Sequence, residues 1–466
     1  MTDTPRSLIG RISVMTALTF LIQSSDTSLL YLSLPTIAQS LHAPLRAMDG
    51  VALSYLAAVV LATPFTPWLM TRYGERVVYQ GALCLFMLAA LGCARANSLP
   101  ELCLWRLVQG SGGALMLAAS RVLLLKTVPD DQQARQLNRV TAIGLLGTLL
   151  GPALGGIGLA FMPWRGLFLL PLPLCLLCLP LSRAFITPAV TCTQRFDTGG
   201  YLLAAPVLLL CLGVSTPVGR SLLSPLGLAP VGVLMAGLIA ILAWRRVKQP
   251  DSGLFDASLL ARPDFRISLA GHALVRICLS STPLLLSMQL QTPQHHAASA
   301  TAASLALLSF ASGALSVRLF LNQALERLGY RRLLTHGCLL GALLLAVMSA
   351  SGIDQPSWSV TGLAFGLGLT SSAIYCCLNT LAFSALNDDS YGAGNSLLTL
   401  VQLLSMMLGI AISFAFLTHC VSWPEQAVER FGALFRLMGC GLLVSAALFS
   451  RLGKAQGIRR QAAGRR

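Results

Sequence analysis

The segment "RISVMTALTFLIQSSDTSLLYLSLP" (residues 11–35) is an apolar run that holds a single carboxylate, Asp26. A helix needs about 20 mostly apolar residues to cross the hydrocarbon core of a bilayer. Similar uncharged runs recur along all 466 residues, of which 55% are hydrophobic and only 11% are charged. Because a soluble domain is about one quarter charged, this composition predicts an all-α polytopic membrane protein.

Apolar runs between charged or Pro- and Gly-rich breaks predict fourteen membrane spans. A count of twelve stays open, because some of the runs are short for a full crossing of the bilayer. The predicted spans lie near residues 12–34, 51–70, 77–94, 102–124, 140–162, 167–182, 199–216, 226–244, 267–290, 300–321, 333–351, 358–384, 396–420 and 431–450.

The distribution of positive charge predicts the orientation of these spans. With the N-terminus inside, the segments on the inner side hold 23 Lys and Arg residues, and those on the outer side hold five. Lys and Arg beside a span resist translocation, so both termini are predicted to be cytoplasmic. The net charge of +16 lies in short clusters between apolar runs, and this pattern argues against a nucleic-acid-binding surface.

Two short segments indicate an internal duplication. "RYGERVV" (72–78) and "RLGYRRLL" (327–334) share R-x-G-x-R followed by aliphatic residues, each after an apolar run. Duplicated helical bundles are typical of secondary transporters. We therefore predict an N-terminal six-helix bundle over 1–182, two additional helices and a linker over 183–262, and a C-terminal six-helix bundle with a basic tail over 263–466. The chain contains no GxxxxGK[ST] phosphate loop, so no ATP site is predicted.

Three longer motifs resemble those of a known family. "DTSLLYLSLP" (26–35) is similar to a first-span motif D-x-T-I-V-N-x-A-L-P, with Tyr31 at the Asn position. "RLVQGSGGA" (106–114) matches R-x-x-Q-G-x-G-G-A, and "GTLLGPALGG" (147–156) matches the antiporter motif G-x-x-x-G-P-x-x-G-G. On these motifs the chain resembles the major facilitator superfamily, in particular its fourteen-span drug:proton antiporter branch and the MdtD-type multidrug-resistance proteins within it.

The resemblance implies two pseudo-symmetric six-helix bundles around a central cavity, plus two additional helices, in the inner membrane of a bacterium. It implies a monomer without cofactor or metal that exports drug-like lipophilic or cationic compounds in exchange for protons, by alternating access. The alternative is export of an endogenous, anionic metabolite. An enzyme would need clustered His, Asp or Glu at one membrane face, which the sequence does not suggest. The antiporter-motif residues assigned to gating are Gly147, Gly151, Pro152, Gly155 and Gly156.

The inner loop after the second span departs from the family motif G-x-L-x-D-R-x-G-R-R. It reads "PWLMTRYGER", with Pro67 in place of the first Gly and Thr71 in place of the Asp. The resemblance implies that this Asp helps to latch the inner gate, so we expect gating here to be looser or to use another contact. The residues assigned to the inner-loop gate are Thr71, Arg72, Gly74 and Arg76.

Asp26 is the acidic residue that lies well inside a predicted span. Insertion of an Asp at mid-membrane costs about 2.5–3.5 kcal/mol, so the residue needs a partner or a function. Asp26 could exchange protons during transport, or it could join helices through hydrogen bonds with Gln23, Ser24 and Ser25 as local partners. The resemblance implies Arg106 as its counter-charge in proton coupling. The other interpretation is that Arg106 extends toward the membrane surface.

Polar and aromatic residues inside other spans are candidates for a substrate cavity, although isolated aromatics in spans more often serve packing. Arg276, with His272 one turn earlier, could bind an anionic group or could hydrogen-bond to helix carbonyls. The residues assigned to the cavity are Tyr31, Tyr55, Gln109, Arg276, Tyr375 and Asn379.

Overall fold

The structure, a computed structural model, describes residues 5–44, 47–185, 262–291, 300–350, 357–384, 391–419 and 427–451. Over these ranges the regular secondary structure is helical throughout, as the apolar runs predict. The helices are α1 (Pro5–Ser40), α2 (Asp49–Ala62), α3 (Thr66–Tyr73), α4 (Glu75–Arg95), α5 (Leu99–Thr127), α6 (Asp130–Phe161), α7 (Trp164–Leu167), α8 (Leu172–Phe185), α9 (Pro263–Leu279), α10 (Thr282–Leu290), α11 (Ala300–Ala350), α12 (Ser357–Ser384), α13 (Tyr391–His419) and α14 (Ala427–Ser450).

The helices confirm a polytopic membrane protein. Eleven segments in the described ranges are long and apolar enough to cross a membrane, and α2 is a shorter apolar helix. Together they account for the predicted spans on either side of the middle segment. The predicted spans at 199–216 and 226–244 lie outside the described residues.

Proline divides three of the predicted spans into shorter helices. In the span predicted at 51–70, α2 is followed by a 3-10 turn and then by α3, and each of the last two has proline in its first turn. Proline has no amide hydrogen, so it fits a helix start but not a helix interior. The span at 267–290 breaks between α9 and α10 for the same reason. In the span at 167–182, Pro171 lies in the turn between α7 and α8.

Two glycines give the duplicated motif the same backbone conformation in both places. Gly74 has φ +78°, and Gly329 has φ +72°; within the described ranges these are the glycines with positive φ. Glycine adopts this region without the steric cost that a side chain adds. Gly74 separates α3 from α4, and Gly329 divides the 51 residues of α11 into two membrane-spanning helices.

The chain divides into two compact units, Met1–Leu212 and Gly213–Arg466. In the first unit α1 packs on α5 and α6, and α5 also packs on α2 and α4. In the second unit α9 packs on α12, α13 and α14, while α11 packs on α12 and α14. Most of the predicted middle segment, 183–262, lies outside the described residues, so the three-part division stays a prediction.

Candidate functional site

Asp26 lies in the interior of α1, and its side chain is only 3% exposed. Among the described residues it is the one carboxylate near the middle of a candidate span. The hydroxyls of Ser24 and Ser25 donate to backbone carbonyls of α1, one turn earlier, and Gln23 donates to Tyr55. These local side chains are therefore not the partners of Asp26, contrary to the structural interpretation of the sequence.

Two side chains of α5 hold the Asp26 carboxylate. Arg106 Nη1 donates to Asp26 Oδ2 at 2.9 Å, and Gln109 Nε2 donates to Asp26 Oδ1 at 3.0 Å. Arg106 Nη1 also donates to Gln109 Oε1 at 2.8 Å, so the three groups form a closed ring of contacts. Arg106 is 1% exposed and Gln109 is 0% exposed, which means that Arg106 does not extend to the membrane surface. We call Asp26, Arg106 and Gln109 the Asp26 network.

The start of α5 fixes the height of Arg106 in the bundle. Ser98 caps the helix by accepting a bond from the Glu101 amide, and the Glu101 carboxylate accepts one from the Asn97 amide. The first bond is the N-cap interaction that a Ser at a helix start predicts, and the second ties Asn97, the residue before the cap, to the first turn of α5. Arg106 lies two turns further along, and Gln109 follows it by three residues, so both side chains point to the same face of α5.

Aromatic rings enclose the guanidinium of the Asp26 network. Arg106 Cζ lies 4.4 Å from the ring centre of Tyr55 and 5.9 Å from that of Phe168. Gln23 Nε2 donates to the Tyr55 hydroxyl at 3.2 Å, which holds the ring in place. Tyr31 is also buried on α1, one turn beyond Asp26. An arginine stacked on a desolvated ring gains a cation–π attraction as well as its ion pair.

The antiporter motif brings α6 into close contact with the helix that carries Asp26. A Cβ on Gly147 would lie 2.1 Å from Ser24 Oγ and 2.6 Å from the Leu21 carbonyl oxygen. A Cβ on Gly151 would lie 2.5 Å from the Ser28 Cβ. Only glycine permits this approach, so the glycine spacing has a direct packing reason.

The other motif residues continue the same surface. A Cβ on Gly155 would lie 2.9 Å from Leu32 Cδ2, so the close contact extends over one further turn of α1. Pro152 is buried, and α6 continues through it without a break. Gly156 is half-buried. The role of these five residues in gating stays a prediction.

The inner-loop residues lie around the turn between α3 and α4. Thr71 donates to the Trp68 carbonyl at 2.9 Å, so its hydroxyl is used within its own helix. Arg72 is exposed and stacks on Trp68 at 5.4 Å, while Arg76 is half-buried. Their assignment to an inner gate stays a prediction.

The same region contains an ion pair that the sequence did not predict. Glu75 of α4 accepts a bond from Lys126 near the end of α5. Glu75 is buried, whereas Lys126 is 63% exposed. The pair lies next to Gly74 and gives this end of the first unit a charge contact that does not use the Thr71 position.

A second polar cluster lies in the other unit, on α9, α12 and α13. Arg276 Nη2 donates to Gln402 Oε1 at 3.3 Å, and Gln402 Nε2 donates to Asn379 Oδ1 at 2.9 Å. Gln402 Nε2 also lies 3.4 Å from His272 Nε2. Arg276 Cζ lies 4.6 Å from the ring centre of Tyr375. We call these five residues the Arg276 cluster.

The cavity residues assigned from the sequence therefore fall into two groups. Tyr55 and Gln109 belong to the Asp26 network and its surroundings, while Arg276, Tyr375 and Asn379 meet in the Arg276 cluster. Two further residues join the second group: His272, which the sequence already places one turn before Arg276, and Gln402 of α13, a polar residue inside an apolar run. Over the described part of the chain, no group of three potential metal ligands is found.

The fold and the sites described above are those of an α-helical membrane transporter. A family model for the Major Facilitator Superfamily matches residues 16–410. The "Putative multidrug resistance protein MdtD" of Pectobacterium atrosepticum is 33% identical over 420 residues, which cover 88% of this chain and 87% of that protein. The protein of the same name from Escherichia coli O6:K15:H31 is 32% identical over 424 residues, covering 89% and 87%.

Solved structures show the same fold at low sequence identity. A D-xylose–proton symporter superimposes with a TM-score of 0.71 and 15% identity, over 96% of this chain and 99% of the other. The inward-open xylose transporter XylE from E. coli gives a TM-score of 0.65 and 14% identity, over 98% and 99%. The chain belongs to the major facilitator superfamily, and it is a transporter and not an enzyme. The family and fold class predicted from the sequence are confirmed.

Proposed function

We propose that this chain is a proton-coupled exporter that moves small molecules across the inner membrane by alternating access. The observation that carries the proposal is the Asp26 network: a carboxylate inside a membrane-spanning helix, bonded to Arg106 at 2.9 Å. Such a carboxylate is costly in a bilayer and marks an ion or proton pathway by default. Because Arg106 is its only cationic partner within the described residues, the charge of the pair depends on one proton.

Protonation of Asp26 changes the balance of charge in the first unit. When Asp26 is neutral, the guanidinium of Arg106 keeps its hydrogen bond to Gln109 and its stacking on Tyr55, but it loses its counter-charge. Breaking a buried ion pair in this way leaves an uncompensated charge, at a cost of about 3–5 kcal/mol. This cost favours a second state in which Arg106 finds another anion or water. The electrical part of one proton's entry is worth about 2.3 kcal/mol per 100 mV.

The contact of α6 with α1 supports a coupling between this charge and helix movement. Gly147 and Gly151 contact the backbone of α1 within one turn of Asp26. Small residues let two helices slide or rock at short distance, because no side chains interlock. We propose that the antiporter motif is the surface along which α1 adjusts when Asp26 changes its protonation state.

For the substrate, the names of the relatives support drug-like lipophilic or cationic compounds. The Asp26 carboxylate would then bind a proton and a cationic substrate in turn. Because a single carboxylate balances only one positive charge, dications should be recognised weakly. The alternative, an endogenous anionic metabolite, is supported by the Arg276 cluster. The excess of Lys and Arg in the inner segments supports the proposed orientation, with both termini in the cytoplasm. No cofactor or nucleic acid enters the proposal, and one chain suffices as the working unit.

Proton release from detergent-purified protein tests the coupling. A lipophilic cation such as ethidium, neutral drugs and aromatic carboxylates are added to weakly buffered protein with a pH indicator. Wild type should release protons on binding a substrate, and Asp26→Asn should bind without release. Asp49→Asn is the matched control, because Asp49 is a second fully buried carboxylate of the same unit, at the start of α2. Equal release from wild type and Asp26→Asn, or no release with any compound, would contradict the proposal.

A further inference from the structure

Arg276 lies halfway along the candidate span Pro263–Leu290 without a carboxylate partner in the described residues. Its guanidinium donates one hydrogen bond, to the neutral side chain of Gln402, and its Nε has no partner there. Arg106 also has an unpartnered Nε, but its Nη1 is bonded to Asp26. Arg276 is therefore a membrane-embedded cation whose charge the described chain does not neutralise.

The groups around Arg276 are neutral and offer further polar atoms. His272 is fully buried one turn earlier on α9, and its Nδ1 has no hydrogen-bond partner in the described part of the chain. The buried hydroxyl of Tyr375 also lacks one. Asn379 holds the amide of Gln402, so the carbonyl oxygen of Gln402 stays directed at Arg276. Unpartnered polar groups of this kind are rare in buried positions and indicate a ligand or a function.

A position at the membrane surface does not explain Arg276. Arg121 of α5 provides the comparison, because it also stacks on a ring, with its Cζ 4.7 Å from the centre of Phe20. Arg121 lies in the last quarter of its span, where a long side chain can extend to the headgroups. Arg276 is far from both ends of its span, and none of its described hydrogen bonds goes to a helix carbonyl.

We infer that the Arg276 cluster binds the carboxylate of the transported molecule. The planar guanidinium offers parallel donors that match the two oxygens of a carboxylate, and the Tyr375 hydroxyl and the His272 ring can supply further donors. One cation among neutral groups fits a single negative charge. The ring of Tyr375 also gives the site an apolar side, which fits a carboxylate on an aromatic body. The inference rests on the proposed function, and it favours the anionic alternative over a cationic substrate.

Two probes of the same shape test the charge preference: 2-naphthoate and the neutral 2-naphthamide. Binding to the full-length protein in nonionic detergent is measured by calorimetry. Wild type should bind 2-naphthoate at least about tenfold more tightly than 2-naphthamide, since hydrogen bonds to a charged group discriminate by this amount. Arg276→Gln should bind both probes equally. Arg276→Lys should keep only part of the preference, because an ammonium lacks the planar pair of donors.

Arg121→Gln is the matched control, and it should keep the wild-type preference because it removes a stacked arginine outside the cluster. Equal affinity of wild type for naphthoate and naphthamide would overturn the inference, as would an equal loss of preference in Arg121→Gln and Arg276→Gln. The proposed function fails separately. Loss of naphthoate binding in Arg276→Gln without proton release from wild type would leave the site standing and refute the coupling. Proton release from wild type on addition of ethidium, together with equal affinity for 2-naphthoate and 2-naphthamide, would support the coupling and refute the carboxylate site.

Discussion

Arg106 and Arg276 have nearly the same relation to an aromatic ring, with the guanidinium carbon 4.4 Å from the centre of Tyr55 and 4.6 Å from that of Tyr375. Their polar partners differ. Arg106 is bonded to a carboxylate of its own chain, whereas Arg276 is bonded to an amide. A stacked arginine is therefore not a site by itself. The pair of Arg106 and Asp26 can respond to a proton, whereas Arg276 can accept an anion from outside the chain.

The largest expected effect is on stability and concerns Arg106. Arg106→Leu leaves the Asp26 carboxylate buried without a cation, so the free energy of unfolding should fall by about 3–5 kcal/mol. Arg276→Leu removes an unneutralised cation, and its desolvation gain offsets the lost stacking, so the change should stay within about 1 kcal/mol. Thermal unfolding in detergent, followed by tryptophan fluorescence, measures both. Similar losses in the two variants would remove the distinction between the sites.

A double variant sharpens the same contrast. Asp26→Asn combined with Arg106→Leu leaves neither charge buried, so it should recover most of the stability that Arg106→Leu loses. The corresponding combination of Asp26→Asn with Arg276→Leu should give additive effects, because the two residues belong to different compact units. A coupling energy of similar size in both cycles would contradict the assignment of Asp26 to Arg106.

The next effect concerns the packing of α6 on the Asp26 helix. Gly147→Ala places a methyl group against Ser24 and the Leu21 carbonyl, so it should destabilise the protein by about 1–3 kcal/mol. Gly81→Ala is the control, since a Cβ there meets nothing within 4 Å. Thermal unfolding should show a loss only in Gly147→Ala, and proton release should fall with it. Binding of 2-naphthoate at the Arg276 cluster should not change in either variant.

A smaller effect separates the two tyrosines. Tyr375→Phe removes a hydroxyl that has no partner in the described residues, so it should weaken 2-naphthoate binding about threefold to tenfold. Tyr55→Phe removes only the acceptor of Gln23, and naphthoate affinity should stay at the wild-type value. Calorimetry with the two variants provides the comparison. Equal weakening in both would show that the hydroxyl of Tyr375 does not contact the carboxylate.

The smallest effect concerns the ion pair of Glu75 and Lys126. Lys126 is 63% exposed, so water already solvates much of its charge. Lys126→Met should therefore change the free energy of unfolding by no more than about 1 kcal/mol. Thermal unfolding of Lys126→Met and of Arg106→Leu then compares the loss of an exposed cation with the loss of a buried one. A loss of several kcal/mol in Lys126→Met would mean that this ion pair stabilises the fold far more than its exposure suggests.

Several features of the site were predictable from local sequence. The scarcity of charge in the spans singled out Asp26, and the family resemblance implied Arg106 as its counter-charge. The Ser98 cap of α5 and the glycine at the repeated turn also follow from local rules. The partners of Gln402 and the pair of Glu75 with Lys126 could not be predicted. Gln402 and Arg276 are 126 residues apart, and Glu75 and Lys126 are 51 residues apart.

The sequence by itself determined that the chain is a helical membrane protein, and its motifs predicted the family and the repeated turn. These properties depend on hydrophobicity, spacing and backbone preference, which act over one span or one turn. Only the tertiary structure decided that Asp26 is bonded to Arg106 and Gln109, while Arg276 has no carboxylate partner among the described residues. The reason is that a helix fixes which residues share a face, whereas the rotation and contact of each helix against its neighbours follow from packing along its whole length.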